Sequence, residues 1–240
     1  MPTIRKLKSS TNHLQSQTRK NLAKAILCLV LLGVAFLPLI PRLLILNIDF
    51  LVETSLLVSL ASLIGFYYYL GKFRAYNAGL EGEKRVARLL GSALNDDYYL
   101  MSSVYIHDGF GDIDHVLLGP NGVFVIEVKN WSGRITCHGD EWQRENRHGK
   151  RESSSPSKQA KKNAIRVKSA IESSGSRGVW VEGIVVFTNP NSDLQVNHAA
   201  VPVLRLPELP NFIASYRSHS RYTRPQLEQI GKAILKKARK

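Results

Sequence analysis

Two long apolar segments occupy the N-terminal third of the chain. Residues 25–40 contain no charged side chain, and residues 51–70 contain a single one, Glu53. A helix needs about 20 mostly apolar residues to cross a bilayer. We therefore predict two membrane spans, at about 24–46 and 51–70, that form an N-terminal two-helix transmembrane hairpin. Pro38 and Pro41 are expected to kink or end the first helix.

Basic residues surround these two segments and determine the predicted orientation. Lysine and arginine are dense before the first segment and after the second, whereas Arg42 is the one basic residue between them. Because such residues stay on the cytoplasmic side, we predict a multi-pass protein of a bacterial inner membrane, with both termini and the soluble domain in the cytoplasm. A secretory signal peptide and a buried pair of soluble helices are the alternatives.

Downstream, the hydrophobic pattern switches between helical spacing and short strand-like runs. Helices are predicted at 75–94, 157–174, 208–216 and 224–239, and a loop at 146–157. Strands are predicted at 98–106, 112–118, 122–129, 179–189 and 201–206, with a further hairpin at 133–145. This order indicates an α/β fold with a mixed sheet flanked by helices. We divide the chain into residues 1–72, a central domain at 73–206 and basic C-terminal helices at 207–240.

The segment GDIDHVLLGPNGVFVIEVKNWSGRI, residues 111–135, places charges inside an otherwise apolar hairpin. A two- or four-residue loop centred on Pro120–Asn121 pairs Asp114 with Glu127 and Asp112 with Lys129, all on one face of the sheet. Two carboxylates directly opposite each other repel. Either one of them holds a proton, or a cation such as Mg²⁺, which binds one or two carboxylates, lies between them.

A structural interpretation of these charges remains open. Asp112 and Lys129 can form an ordinary cross-strand salt bridge, with Asp114 a solvated edge residue. A three-residue loop would shift the register by one residue, place Asp114 opposite Val128 and separate the two carboxylates.

The composition of the chain indicates an anionic binding partner. The formal net charge is +14 and the pI is about 9.9, which favours nucleic acid or an anionic membrane surface. Two cysteines, Cys28 and Cys137, are too few for a disulfide framework or a cysteine zinc site. The residues predicted to contact phosphate are Arg144, Arg147, Lys150, Arg151, Lys158, Lys161, Lys162 and Arg166. Trp131 and Trp142 can stack on bases or pack in the protein.

The sequence resembles the nuclease-related domain (NERD) family, which is similar to the PD-(D/E)xK nuclease superfamily. The matching motifs are GLEGEKRVARLL, the hairpin quoted above and SPSKQAKKNA, between about residues 78 and 190. The spacing Asp–x12–Glu–x–Lys is intact as Asp114, Glu127 and Lys129. The resemblance implies a restriction-endonuclease-like mixed sheet and does not cover the N-terminal hairpin or the last fifty or so residues.

The resemblance also implies a role for each site residue. Asp114, Glu127 and the Val128 carbonyl would bind Mg²⁺ or Mn²⁺, with Glu83 completing the shell around the ion. Lys129 would activate or orient the attacking water and stabilise developing charge. Gln159 would hold Lys129 or a water, or touch phosphate. These five side chains and one carbonyl are the predicted catalytic and metal-binding groups.

Two functions are consistent with these features. The first is a membrane-anchored, divalent-metal-dependent nuclease that hydrolyses phosphodiester bonds, with DNA favoured by the superfamily and RNA not excluded. The second is a non-catalytic, membrane-anchored nucleic-acid-binding or signalling module with a nuclease fold. Lipid binding by the basic surface is a third possibility. The sequence leaves the oligomeric state undetermined.

Overall fold

The computed structural model describes residues 5–7, 13–37, 49–106, 110–145, 151–152, 154–218 and 220–238. The chain divides into two compact units. One consists of residues 13–80, and the other combines residues 1–12 with residues 81–240. The predicted boundary at residue 72 lies near the end of the first unit, and the N-terminal residues are assigned to the second.

The unit formed by residues 13–80 is helical. Helix α1 spans His13–Phe36, and helix α2 begins at Asp49 and continues to Ala93. Within this unit Lys24 lies 5.2 Å from the ring centre of Tyr69, and Lys72 lies 4.7 Å from that of Tyr68. Such pairs of basic and aromatic side chains are typical of a membrane–water interface.

Among the residues that the structure describes, one helix, Glu53–Ala93, is long and apolar enough to cross a membrane. Only 6% of its apolar window is buried, and the charges from Lys72 onward confine that window to the first part of the helix. Length and composition alone are weak evidence for a span. The predicted two-span hairpin is not confirmed, and residues 38–46 of its first span lie outside the described residues.

The second predicted span and the predicted helix 75–94 form one continuous helix. The only weak helix former between them is Gly71, and a single glycine costs only about 1 kcal/mol in a helix interior. The separation of the two elements was therefore wrong, because a change from apolar to charged side chains does not by itself end a helix.

The larger sheet has six strands in the order β1-β2-β3-β4-β8-β10. These strands are β1 (Arg5–Leu7), β2 (Tyr99–Tyr105), β3 (Asp112–Gly119), β4 (Gly122–Lys129), β8 (Val181–Phe187) and β10 (Val203–Arg205). β2, β3 and β4 are antiparallel, whereas β1, β8 and β10 each join a neighbour in parallel. The mixed α/β architecture is thus confirmed.

A second sheet, also mixed, has four strands in the order β7-β6-β5-β9. It contains β5 (Gly133–His138), β6 (Glu141–Glu145), β7 (Arg151–Glu152) and β9 (Ser192–Asn197). The β5–β6 hairpin was predicted with its turn. The parallel pairing of β5 with β9 was not, because the segment SDLQVN is short and mostly polar and so lacks the apolar signal of a strand.

Helices cover both faces of the six-stranded sheet. Helix α3 (Pro156–Glu172) and helix α5 (Arg224–Ala238) contribute Val167, Ile171 and Ile230 to one core. On the other face, Val86 and Leu90 of α2 pack with Leu209 and Ile213 of helix α4 (Leu209–Ser215), which follows a short 3-10 helix at Leu206–Glu208. A third core, beneath the small sheet, stacks Trp142 on Phe187.

Helix α3 begins at a well-formed cap. The Ser155 side chain accepts a hydrogen bond from the Lys158 backbone N–H at 3.2 Å, and Pro156 occupies the first turn. Both features favour a helix start. Asn163 and Arg166 are among the buried residues of this helix.

Candidate active site

The turn at Pro120–Asn121 sets the register of the charged hairpin. Gly119 pairs with Gly122 and Leu118 with Val123, so the connecting loop has two residues and the predicted register is confirmed. The pairing ends at His115 and Ile126, so the predicted pairs Asp114–Glu127 and Asp112–Lys129 lie beyond the ladder, and Asp112 pairs instead with Tyr105 of β2. The three-residue alternative, which would have separated the two carboxylates, is excluded.

Beyond the end of the ladder, the Asp114 side chain accepts a hydrogen bond that a backbone carbonyl of β3 would otherwise accept. Its Oδ2 accepts a hydrogen bond from the Val128 N–H at 2.7 Å. The carboxylate therefore lies between β3 and β4, where the two strands separate. Since the N–H and C=O of one residue in a strand point to the same neighbour, the Val128 carbonyl faces this same side.

Glu127 is buried and receives a donor at each carboxylate oxygen. Lys129 Nζ contacts Oε1 at 2.7 Å, and Asn163 Nδ2 donates to Oε2 at 3.2 Å. Glu127 and Lys129 lie two residues apart on β4, so their side chains share a face of the sheet. Each carboxylate oxygen has a second lone pair, so Glu127 retains the capacity to accept a further ligand.

Glu83 brings a third carboxylate to this region from helix α2. Ser103 Oγ donates to its Oε2 at 3.4 Å. Burial, and after it the negative charges of Asp112 and Glu127, raise the pKa of Glu83 to about 7, although the Ser103 hydrogen bond opposes the shift. Glu83 is therefore close enough to the strand carboxylates for their charges to interact.

The Asp114 carboxyl is also repelled by neighbouring carboxylates. Its pKa is raised well above its usual value, first by burial and then by the charges of Glu127 and Glu83. Lys129 and the Val128 N–H oppose this shift without cancelling it. Repulsion between these carboxyls is relieved either when one of them holds a proton or when a cation binds between them.

Ser103, which sequence reasoning did not identify, has an unusual backbone conformation. Its φ is 51°, a left-handed conformation that is uncommon for residues other than glycine. In the β2–β3 ladder its neighbours Ser102 and Val104 pair with His115 and Ile113. Strained backbone of this kind is frequent at functional sites, and here it accompanies the contact with Glu83.

His115 follows Asp114 on β3, and its side chain points to the opposite face of the strand because successive residues alternate. It is fully buried, with Nδ1 2.8 Å from Ser102 Oγ and Nε2 3.1 Å from the Glu83 carbonyl. Burial lowers the pKa of His115 to about 4, so the ring is neutral at pH 7. It ties the Glu83 turn of α2 to the sheet.

The predicted helix residue Gln159 is exposed on α3. Asn163, one turn further along the same helix, instead reaches Glu127. The i, i+4 spacing of these two amides on one helix was the signal available in the sequence, but burial of the helix face was needed to choose between them. The role of Gln159 remains a prediction.

The predicted phosphate-binding residues divide into several groups. Arg147, Lys150 and the Arg151 side chain lie outside the described residues. Lys158 and Lys162 are exposed on α3. Lys161 pairs with Asp140, and Arg144 donates to the Ser132 carbonyl.

Two of the predicted nucleic-acid contacts lie inside the protein. Arg166 is buried, at 8% exposure, and Trp142 is buried in the third core. Trp131 is partly buried, 6.1 Å from the Phe187 ring, and the Lys129 and Arg144 side chains lie over it. The packing alternative for the tryptophans is therefore the one that the structure supports.

The donors at this site suit Mg²⁺ or Mn²⁺ in chemistry. Hard divalent ions prefer oxygen ligands and commonly use one or two carboxylates, and Asp114, Glu127 and the Val128 carbonyl supply such oxygens. Over the described ranges, however, no group of three or more His, Cys, Asp or Glu side chains converges closely enough to hold a metal ion. The carboxylates of Asp114, Glu127 and Glu83 lie near one another, and the Glu127 carboxylate is hydrogen-bonded to Lys129 and Asn163.

Comparison with known proteins supports the family resemblance. An uncharacterized protein of Bacillus anthracis is 40% identical over 60 residues, which cover 24% of this chain and 28% of that protein. No solved structure matches the chain. The family model for the nuclease-related domain matches residues 78–188, a range that contains the hairpin, Glu83 and the whole of α3. This match confirms the resemblance to the nuclease-related domain family over residues 78–188.

Proposed function

We propose that this protein is a divalent-metal-dependent nuclease that hydrolyses phosphodiester bonds of nucleic acid, with DNA as the favoured substrate. The observation that supports it most is that the carboxyls of Asp114, Glu127 and Glu83 lie close enough for their charges to interact, with Lys129 in contact with Glu127. Two of these carboxyls have a raised pKa, and Lys129 is in contact with a third. A purely structural hairpin has no need of this much buried negative charge.

In the proposed function, each residue of the site has its own role. Asp114, Glu127 and the Val128 carbonyl would hold Mg²⁺ or Mn²⁺, with Glu83 beside them. The bound ion would polarise the phosphoryl group and lower the pKa of a water molecule. Lys129 donates to Glu127, and its ammonium would stabilise the negative charge that develops on the phosphate. Asp112 and Gln159 would contact the edge of this site.

The exposed side chains of α3 offer a surface for the nucleic acid. Lys158 and Lys162 are exposed, and Lys162 Nζ lies 3.3 Å from the ring centre of Phe110, whose side chain is itself exposed. Phe110 precedes Asp112 by two residues, and Lys162 precedes Asn163. A phosphate-binding cation and an aromatic ring that can stack on a base thus lie close to the carboxylates.

The apolar helix supports a membrane location for this activity. In this proposal α2 crosses the bilayer at about residues 51–70. The apolar segment before it, at about residues 24–46, forms the other span of the hairpin. With the basic flanks on the cytoplasmic side, both termini and the nuclease-related domain would lie in the cytoplasm.

One observation favours a second candidate function. In the described part of the chain, no three metal-binding side chains converge, and Glu127 has a donor at each oxygen. A module that kept the fold to bind nucleic acid without cutting it would show these features. The two candidates differ in cleavage and agree in binding.

Cleavage by the full chain in detergent micelles separates them. Single- and double-stranded DNA and RNA are incubated with Mg²⁺, Mn²⁺ or EDTA, using the parent and the variants Asp114→Asn, Glu127→Gln and Lys129→Ala. Metal-dependent cleavage that each variant reduces by at least about 100-fold is expected, since these groups would act in the transition state. Asp193→Asn, which removes an exposed carboxylate from the small sheet, serves as the control.

Two results would overturn the nuclease proposal. One is that the folded parent cuts none of the four substrates with either metal. The other is that it cuts and the three site variants cut equally well. Binding without cleavage would instead support the second candidate.

A further inference from the structure

We propose that Asn163 and Arg166 form a positioning pair that orients the Glu127 carboxylate and ties it to the segment that leads into Asp112 and Asp114. The proposal rests on the nuclease function proposed above and deepens it. It also gives Arg166 a role inside the protein, in place of the phosphate contact predicted from sequence.

Asn163 is the residue of α3 that touches the site. It is 9% exposed, and its Nδ2 donates to Glu127 Oε2 at 3.2 Å. Because Lys129 occupies Oε1, the carboxylate is held at both ends, from its own strand and from the helix. Loss of either donor would leave the carboxylate free to rotate.

Arg166 determines which way the Asn163 amide points. Its Nη1 donates to Asn163 Oδ1 at 2.9 Å. A guanidinium has donors only, so it requires an acceptor opposite it. The amide oxygen must therefore face Arg166, which turns the amide NH₂ toward Glu127. An asparagine without this partner could present either end to the carboxylate.

Arg166 also contacts the entry to β3. Its Nη2 donates to the Gly111 carbonyl at 2.8 Å and approaches the Ile106 carbonyl at 3.5 Å. Gly111 directly precedes Asp112, and Asp114 follows two residues later. One guanidinium thus links the beginning of the strand that contains Asp114 to the amide that holds Glu127 on the next strand.

The burial of Arg166 indicates that its contacts are specific. Removing a guanidinium from water is expensive unless hydrogen bonds compensate it, and replacing such a group by an apolar residue is often neutral or stabilising. Val167 and Ile171 show that α3 uses apolar side chains where it only packs. A charged residue at position 166 is instead placed where two carbonyls and one amide oxygen converge.

Direct measurement of metal binding tests the pair without depending on cleavage. Mn²⁺ is titrated into the metal-free full chain in micelles and followed by electron paramagnetic resonance, for the parent, Asn163→Ala, Arg166→Met and Arg166→Lys. Residues that orient metal ligands typically change affinity or activity by about 10–100-fold, so we expect at least a tenfold loss for Asn163→Ala and Arg166→Met. Lys168→Met is the matched control, because it removes a positive charge from the same helix but only breaks an exposed pair with Glu172.

Steady-state cleavage adds a second readout. Substitution of Asn163 or Arg166 is expected to lower kcat while leaving the KM for nucleic acid unchanged, since neither side chain would touch the substrate. The double variant Asn163→Ala/Arg166→Met is expected to lose no more Mn²⁺ affinity than Asn163→Ala alone, because two groups that act as a unit are not additive. Arg166→Lys keeps the charge and preserves folding should Arg166→Met prove unstable.

The possible outcomes distinguish failure of the positioning pair from failure of the nuclease proposal. If the parent binds Mn²⁺ and the folded variants bind it equally well, the positioning pair is overturned while the nuclease proposal stands. A double variant with multiplied losses, or a changed KM with unchanged kcat, overturns the pair as well. If the parent neither binds Mn²⁺ nor cuts, both proposals are overturned.

Discussion

At the scale of single residues, the site depends on an excess of buried negative charge. Glu83, Asp114 and Glu127 come from a helix and two strands, and Lys129 is in contact with Glu127. Repulsion within this set has a cost in the metal-free protein, which can be measured as a dependence of stability on pH.

Glu83 is expected to make the metal-free protein less stable as the pH rises from about 4.5 to about 7. In the unfolded chain this carboxyl ionises near its ordinary value of 4.5, whereas burial raises the pKa of Glu83 in the folded state to about 7. The folded state therefore binds the extra proton across this window, and stability falls with rising pH. At 1.36 kcal/mol per pKa unit, the loss would reach about 3 kcal/mol.

Thermal melts in EDTA at pH 5 and pH 7.5 measure this effect. Glu83→Gln removes the ionisation and should reduce the fall in Tm between the two pH values. Glu81→Gln is a matched control two residues earlier on the same helix, where Lys84 lowers the pKa of an exposed glutamate. An equal fall in Glu83→Gln and the parent would contradict the prediction.

At the scale of elements, the close approach of α3 to β8 delivers Asn163 to Glu127. Gly183 in β8 makes this approach feasible, since a Cβ there would lie 2.9 Å from the Ala160 carbonyl oxygen and 3.0 Å from its carbon. Both obstructing atoms belong to the helix backbone and cannot rotate away. The distance between helix and sheet therefore depends on the absence of one side chain.

Gly183→Ala is expected to destabilise the protein by about 1–3 kcal/mol, as overpacking does. It should also lower Mn²⁺ affinity, because a displaced α3 would withdraw Asn163 from Glu127. Gly71→Ala is the control, since a Cβ at that helical position meets nothing within 4 Å. It should leave Mn²⁺ affinity unchanged and should not lower stability, because alanine is the better helix former. Unchanged melting and metal affinity in Gly183→Ala would show that the helix tolerates the shift.

At the scale of the whole molecule, the chain joins an apolar helical unit to a basic domain. The first part of α2 exposes large apolar side chains, among them Leu57 at 68% and Ile64 at 63%. An exposed apolar surface of this kind indicates a membrane or a protein partner. The length of the helix makes a membrane span the simpler hypothesis.

We expect the full chain to stay in the membrane fraction after an alkaline carbonate wash. The double change Leu60→Arg/Ile64→Arg should release much of it, because each arginine near the centre of a span costs about 2.5–3.5 kcal/mol on the insertion scale. Ile165→Arg alters an equally exposed apolar residue of α3 outside the span and should have no effect. Release of the parent by the wash would contradict membrane insertion.

The sequence by itself determined the charged hairpin, the position of its turn and most helices and strands, because these depend on local periodicity and turn chemistry, whereas the structure decided that the loop has two residues. It also predicted the resemblance to the nuclease-related domain family, since the spacing of Asp114, Glu127 and Lys129 is a linear signal. Only the tertiary structure decided that Asn163 reaches Glu127, that Arg166 is buried and that β9 joins β5. Those features depend on which surfaces meet, and contacts between distant segments leave little trace in the local pattern of apolar and polar residues.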